Sequence, residues 1–201
     1  MATTVSDLFH NAGLAFDGPV RWSHPVKNGS PGVYIVSTSS DPTRHLGLEP
    51  SPPISVDLVS GWIRRVPSIE LDGTRGCTAA DLAARLADFW LSDESILYIG
   101  MTTARVRTRV NQYYKTPLGD RRPHAGGHWL KTLSNLSELF LYHAVSESPR
   151  SKEGQLLGYF VSNVATETRT QLRDPEHPFP FANLEYPPGT RKAHGIGKSK
   201  L

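Results

Sequence analysis

The chain of 201 residues is long enough for one domain with a sizeable core, and its 16 prolines and 17 glycines predict long surface loops around that core. Its formal net charge is +3, and its single cysteine, Cys77, excludes an internal disulfide bond and a thiolate metal cluster. No apolar run reaches membrane-spanning length and the N-terminus lacks a signal-peptide pattern, so we expect a cytoplasmic protein with no membrane contact.

The first half of the chain predicts one clear strand and then a long segment of mixed character. Residues 1–31 indicate a short helix and a proline-containing loop, and residues 32–36 form an apolar run typical of a buried strand. After an irregular loop, residues 54–66 are expected to hold one or two strands. Thr78 and Asp81 have the spacing of a capping box, which predicts a helix beginning there.

The second half predicts a regular alternation of strands and helices. Residues 96–100 form a second apolar run with a tyrosine at its centre, and a basic helix around Arg109 follows. The later expected elements are a loop at 116–127, a short helix near Trp129, a strand at 138–145, a helix from Pro149 to about Thr168 and a strand at 181–186.

Basic charge is gathered into two segments. Residues 101–131 carry seven basic side chains against one acid, the last thirteen residues carry four against none, and the remainder carries eleven against eighteen. This distribution favours a polyanion as partner, although a solvated helix face with a solubilising tail would look similar. The candidate nucleic-acid contacts are Arg105, Arg107, Lys115, Arg121, Arg122, His124, His128, Lys131, Arg191 and Lys192.

Two of these candidates, His124 and His128, have the spacing of zinc ligands on a helix. The two glycines between them argue against a helix, and no cysteine or carboxylate partner lies nearby in the sequence. A phosphate contact or plain solvent exposure is the alternative.

Two short motifs and three later residues together resemble the GIY-YIG nuclease family. Gly32-Val33-Tyr34 stands for its first motif, Tyr98-Ile99-Gly100 matches its second literally, and Arg109, Glu153 and Asn183 follow in the family's order. The resemblance implies an α+β fold, with a small central antiparallel sheet flanked by helices. Here residues 37–95 would be a long insertion between the first two core strands. We expect a single domain over 1–201, with an N-terminal extension at 1–31 and a basic C-terminal tail at 187–201.

The resemblance also implies a catalytic site. Tyr34 and Tyr98 would face the scissile phosphate, Arg109 would neutralise its charge, and Glu153 would bind the metal. Tyr113 stands where many members have histidine or tyrosine, and Asn183 matches a polar residue near the family's C-terminal end. The implied cofactor is Mg²⁺ or another divalent cation such as Mn²⁺, for which one carboxylate plus phosphate and water is sufficient.

Each residue alone also has an ordinary structural explanation, because strand tyrosines pack, helix arginines are solvated and glutamates favour helix N-termini. The leading hypothesis is a metal-dependent endonuclease acting on DNA in restriction, repair or mobile-element transfer. The alternatives are a non-catalytic nucleic-acid-binding module on the same fold and a protein-interaction domain that uses residues 37–95.

Overall fold

The computed structural model describes residues 2–44, 51–120, 127–186 and 189–198. Its helices are α1 Val5–Asn11, α2 Val56–Arg65, α3 Ala79–Ala87, α4 Val106–Lys115, α5 Pro149–Asn163 and α6 Thr166–Gln171. Its strands are β1 Asp17–Arg21, β2 Gly32–Ser37, β3 Ile69–Leu71, β4 Thr74–Arg75, β5 Ile96–Thr102, β6 Phe140–Val145, β7 Glu185–Tyr186, β8 Thr190–Arg191 and β9 Ile196–Lys198. Two 3₁₀ helices span His128–Thr132 and Leu136–Glu138.

The central sheet has four antiparallel strands in the order β1-β6-β2-β5. β2 lies inside the sheet between β6 and β5, and all six of its residues are buried, which explains its continuous apolar run. The predicted α+β class with a small antiparallel sheet flanked by helices is therefore confirmed. None of the described helices is long and apolar enough to span a bilayer.

The two faces of this sheet belong to two hydrophobic cores. Tyr34 and Val36 of β2 point into the core that contains the apolar face of α4, whereas Val33 and Ile35 point into the core that contains α5. Alternation along the strand produces this division. A register shift in the β2–β5 pairing changes the pattern on β5. As a result Leu97 and Tyr98 both lie in the α4 core.

The segment between β2 and β5 holds α2, the β3–β4 hairpin and α3. The helix predicted from Thr78 and Asp81 is confirmed as α3, and both hydrogen bonds of its capping box are present. The strands predicted for residues 54–66 are wrong, because α2 occupies most of this range. Ser55 caps α2, and Val59 and Trp62 form its buried face at i and i+3. These residue types favour strands locally, and the burial of that face overrides the propensity.

Both terminal segments contribute strands. β1, from the predicted N-terminal extension, pairs with β6 at the edge of the central sheet, and β9, from the predicted tail, pairs with β3 of the insertion. The helix expected from Pro149 to about Thr168 is interrupted, because Val164 has an extended backbone conformation between α5 and α6. The strand expected at 181–186 is limited to the two residues of β7.

Candidate active site

Tyr34 and Tyr98 lie side by side on the sheet face that packs against α4. Tyr34 pairs with Gly100 across β2 and β5, and Tyr98 precedes Gly100 by two residues on the same strand. Their ring centroids are 6.0 Å apart. A Cβ on residue 100 would lie 2.7 Å from a ring carbon of Tyr98 and 2.9 Å from the hydroxyl oxygen of Tyr34. The glycine of the second motif therefore leaves the space that the two rings occupy.

Helix α4 brings Arg109 and Tyr113 to these tyrosines from one turn apart. The guanidinium of Arg109 donates a hydrogen bond to the hydroxyl oxygen of Tyr34, and the hydroxyl groups of Tyr34 and Tyr98 are hydrogen-bonded to each other. The ring of Tyr113 is 5.5 Å from that of Tyr98, centroid to centroid, and its hydroxyl donates to the carbonyl of Gly127 at 2.6 Å. Tyr113 therefore both lines the site and fixes the start of the following 3₁₀ helix.

The three phenols are neutral at pH 7. Burial raises the pKa of Tyr34 to about 12, although the charge of Arg109 and the hydrogen bond with Tyr98 oppose this rise. Burial also raises the pKa of Tyr98 and of Tyr113 well above the usual value of 10.0. Tyr34 and Tyr113 have no exposed surface, and Tyr98 is 8% exposed. Of the three, Tyr98 is therefore the one with some exposed surface.

Glu153 lies near the start of α5, and its carboxylate is half-buried. Burial raises its pKa to about 7, while the charges of Arg150 and Arg109 oppose the rise. Its own charge acts on Tyr34 and Tyr98, so it belongs to the same cluster. Within the described ranges the carboxylate has no hydrogen-bond partner.

The surroundings of Glu153 fit a hard divalent cation held through one carboxylate. A carboxylate that is half-buried and lacks a hydrogen bond gains a compensating charge when such an ion binds. The described residues contain no cluster of three or more His, Cys, Asp or Glu side chains that could form an all-protein metal cage. The remaining ligands would be water and substrate oxygens.

Asn183 occupies the open edge of β5. Its side-chain oxygen accepts from the main-chain N–H of Ile99 at 2.8 Å, and its side-chain nitrogen donates to the carbonyl of Ile99 at 2.7 Å. The next contact along this edge is the N–H of Ala182, which donates to the carbonyl of Leu97 at 2.9 Å. Ala182 and Asn183 thus bind the backbone of β5 on either side of Tyr98, and the Asn183 amide is occupied by Ile99 rather than by the tyrosine hydroxyls.

Two of the predicted nucleic-acid contacts have buried ammonium groups. Lys131 is 9% exposed, and its Nζ donates to the carbonyls of Tyr113 and Thr116 at the C-terminal end of α4. Burial lowers its pKa to about 8. Lys192 is 4% exposed and donates to the carbonyls of Pro180 and Phe181 at 2.9 and 3.0 Å. The prediction that these two lysines contact DNA is corrected on this ground, because both serve the fold.

The other basic candidates lie on α4 and on other segments. Arg107 and Lys115 of α4 and its N-cap residue Arg105 are exposed. Arg191 is exposed and pairs with Glu185 at 3.0 Å. His128 is half-buried, and its Nδ1 accepts from the N–H of Gly119 at 3.4 Å. Arg121, Arg122 and His124 lie outside the described residues.

Two clefts run along the exposed side of α4. One, of about 330 Å³, is lined by Arg109 together with the loop that follows β5. The other, of about 370 Å³, is lined by Arg107 and Lys115 together with Pro25 and Val26. Thr108 and Gln112 line both clefts. The basic side of α4 therefore faces open space that leads to Arg109.

Sequence reasoning missed one residue beside this cluster. His143 on β6 pairs directly with Tyr34 of β2, so the two side chains share a face of the sheet. The alternation predicted for residues 138–145 would have placed it on the buried side, together with Leu141, had the partner strand been known.

Comparisons of the chain with protein-family models, with curated proteins and with solved structures find no match. What the cluster can do chemically therefore follows from the side chains and distances of this chain. A cleft lined by Arg109, with two tyrosines and a half-buried carboxylate in the same cluster as that arginine, is suited to binding a phosphate and a divalent cation together.

Proposed function

We propose that this protein is a metal-dependent endonuclease of the GIY-YIG type that hydrolyses phosphodiester bonds in DNA. The observation that carries the proposal is the convergence of Tyr34, Tyr98, Arg109 and Glu153. The sequence motif predicts these four residues from separate segments, and they interact with one another across β2, β5, α4 and α5.

In this proposal Arg109 binds two oxygens of the scissile phosphate and stabilises the charge that develops on them. A phosphate bound there draws the guanidinium away from Tyr34, whose hydroxyl then orients the attacking water. Tyr98, at the solvent-facing side of the cluster, hydrogen-bonds the phosphate. Glu153 would hold Mg²⁺ or Mn²⁺, which when bound supplies a Lewis acid for the phosphoryl group and neutralises the leaving oxygen.

A second candidate function is a nucleic-acid-binding module without catalysis. The observation that favours it is the closed state of Tyr34, which has no exposed surface and is already hydrogen-bonded to Arg109 and Tyr98. A protein of this kind would use the exposed residues of α4 and would not depend on Glu153.

The test is cleavage of supercoiled plasmid by purified protein with Mg²⁺, with Mn²⁺ and with chelator. The decisive variant is Glu153→Gln, which keeps the shape of the side chain and deletes the charge that would hold the cation. We expect this variant to bind DNA as the parent does and to lose cleavage. Because Glu153 has a pKa of about 7 and is partly protonated at neutral pH, the neutral amide is compatible with the fold.

The matched control is Glu167→Gln, on the exposed side of α6, which should cut at the parent rate. Metal-dependent cutting by the Glu153 variant at the parent rate would refute the metal assignment. DNA binding without cutting in any metal would favour the second candidate.

A further inference from the structure

A row of side chains crosses the central sheet beside the proposed catalytic cluster. The strand registers pair Asp17 with His143, His143 with Tyr34, and Tyr34 with Gly100. Directly opposed residues of antiparallel strands project from the same face, so the imidazole of His143 stands beside Tyr34. His143 is 4% exposed, and the endonuclease proposal above leaves it without a role.

One ring nitrogen of His143 has a defined hydrogen bond. The amide nitrogen of Asn28 lies 3.4 Å from its Nδ1. The Asn28 amide is oriented by the N–H of Ser30, which donates to its side-chain oxygen at 2.8 Å. Because an amide NH₂ only donates, Nδ1 of His143 accepts this bond and the ring proton is on Nε2. The hydrogen bond therefore requires the neutral imidazole.

Residues 28–30 in turn hold the N-terminus of α4. The N–H groups of Val106 and Arg107 donate to the carbonyls of Ser30 and Asn28, at 3.0 and 2.9 Å. The N-cap residue Arg105 makes no side-chain capping bond, so these carbonyls satisfy donors that the helix itself leaves open. Arg109 lies less than one turn further along the helix. The direction of its side chain therefore depends on the position of the α4 N-terminus.

We propose that His143 is a positioning residue. In its neutral form it holds residues 28–30, and through them the N-terminus of α4, in the place that aims Arg109 at Tyr34, and protonation of Nδ1 releases this hold. The part of this proposal that concerns catalysis rests on the proposed function. The positioning of residues 28–30 by neutral His143, called the hold below, does not depend on it.

The charged groups around His143 determine how it responds to protons. Asp17 on β1 places a carboxylate oxygen 3.9 Å from Nδ1, ready to accept from a protonated ring. On α4 the nearest charged group to the 28–30 segment is the guanidinium of Arg107, whose Cζ would be 3.9 Å from a Cβ placed on Gly29. Tyr34 on β2 stays neutral. Burial lowers the pKa of His143 below its usual 6.5, and the charge of Asp17 opposes this. The hold is therefore complete above about pH 6.5 and is lost as the pH falls through that lowered pKa.

The first experiment follows, by NMR over a pH titration, the chemical shifts of the Val106 and Arg107 amides and of the His143 ring. We expect the two amide shifts, and their hydrogen-exchange rates, to follow the ring titration. His143→Asn, which keeps an acceptor oxygen near the position of Nδ1 and does not titrate, should remove that pH dependence. Asp17→Asn should move the midpoint to lower pH. Amides that do not respond at the ring's midpoint, or that still respond in His143→Asn, would overturn the proposal.

The second experiment measures plasmid cleavage at pH 7.5, where the hold is complete. His143→Leu removes the acceptor at similar volume, and we expect the cleavage rate to fall about tenfold or more from the misdirected arginine. DNA affinity should be unchanged and His143→Asn should restore the rate. A folded His143→Leu that cuts at the parent rate would overturn the positioning role. If the parent itself does not cut, the proposed function fails, and the amide titration still decides the hold.

Discussion

Replacing Gly100 with alanine tests how tightly Tyr34 and Tyr98 are packed against the β2–β5 pair. The new Cβ would lie 2.7 Å from a ring carbon of Tyr98, and 2.8 and 2.9 Å from Cζ and the hydroxyl oxygen of Tyr34. Carbon atoms in contact prefer separations of about 3.5–4.0 Å, so at least one ring must move by about 1 Å. Because both rings are buried, we expect a loss of about 1–3 kcal/mol in the free energy of unfolding.

Catalysis should suffer more than stability. A misplacement of about 1 Å at a reacting group costs about 10²-fold in rate, so Gly100→Ala should cut plasmid about 10²-fold more slowly while remaining folded. The matched control is Gly197→Ala on β9, where a Cβ would meet nothing within 4 Å. Urea unfolding and plasmid cleavage should both leave this control close to the parent. A Gly100→Ala protein with the stability and cleavage rate of the parent would refute the tight packing and the functional reading of the glycine.

Three further predictions use the same assays. Tyr34→Phe should lower the cleavage rate by about 10²-fold, the scale of a reactant that is no longer held in place, and an unchanged rate would return Tyr34 to a purely structural role. Replacing Arg107 and Lys115 with alanine should reduce the slope of log affinity against log salt by about 2, whereas a parent slope near zero would exclude a polyanion partner. Glu94→Gln should stabilise the protein at pH 8.5 and hardly at pH 4. Burial raises the folded pKa of Glu94 to about 8, so its ionisation destabilises the parent as the pH rises from 4.5. Melting temperatures that differ equally at both pH values would contradict this.

The elements that the sequence predicted well are those whose burial is uniform. β2 and β5 are apolar over residues 32–36 and 96–101 because these residues lie against both cores, so a run of apolar residues was a sufficient signal. α3 was predictable because Thr78 and Asp81 encode its cap locally. α2 was not, because its residues favour strands and only its packing on α3 and on the neighbouring 3₁₀ helix selects the helix.

The sequence predicted which residues form the site better than it predicted how they contact one another. A motif names residue types in order, and it does not say that Tyr34 is closed off by Arg109 and Tyr98. Nor does it say that the Asn183 amide is committed to the backbone of Ile99. Those facts depend on contacts across about 84 positions of chain in the case of Asn183, which local patterns do not encode. His143 belongs to the same class, because its place beside Tyr34 follows from strand register.

In the two basic segments, only the exposed basic side chains are available to contact a polyanion. Within residues 101–131, Lys131 donates hydrogen bonds to carbonyls at the end of α4. In the tail, the ammonium group of Lys192 lies over the rings of Phe89 and Trp129. Neither ammonium group is exposed for direct contact with a phosphate. Replacing either lysine removes a cap or a packed side chain, and so lowers stability. The exposed charges of Arg105, Arg107 and Lys115, by contrast, lie on one helix that ends its first turn at Arg109. In the proposed function a polyanion drawn to that helix would meet Arg109 of the cluster, and we therefore expect the seating of the α4 N-terminus and the cleavage rate to change together.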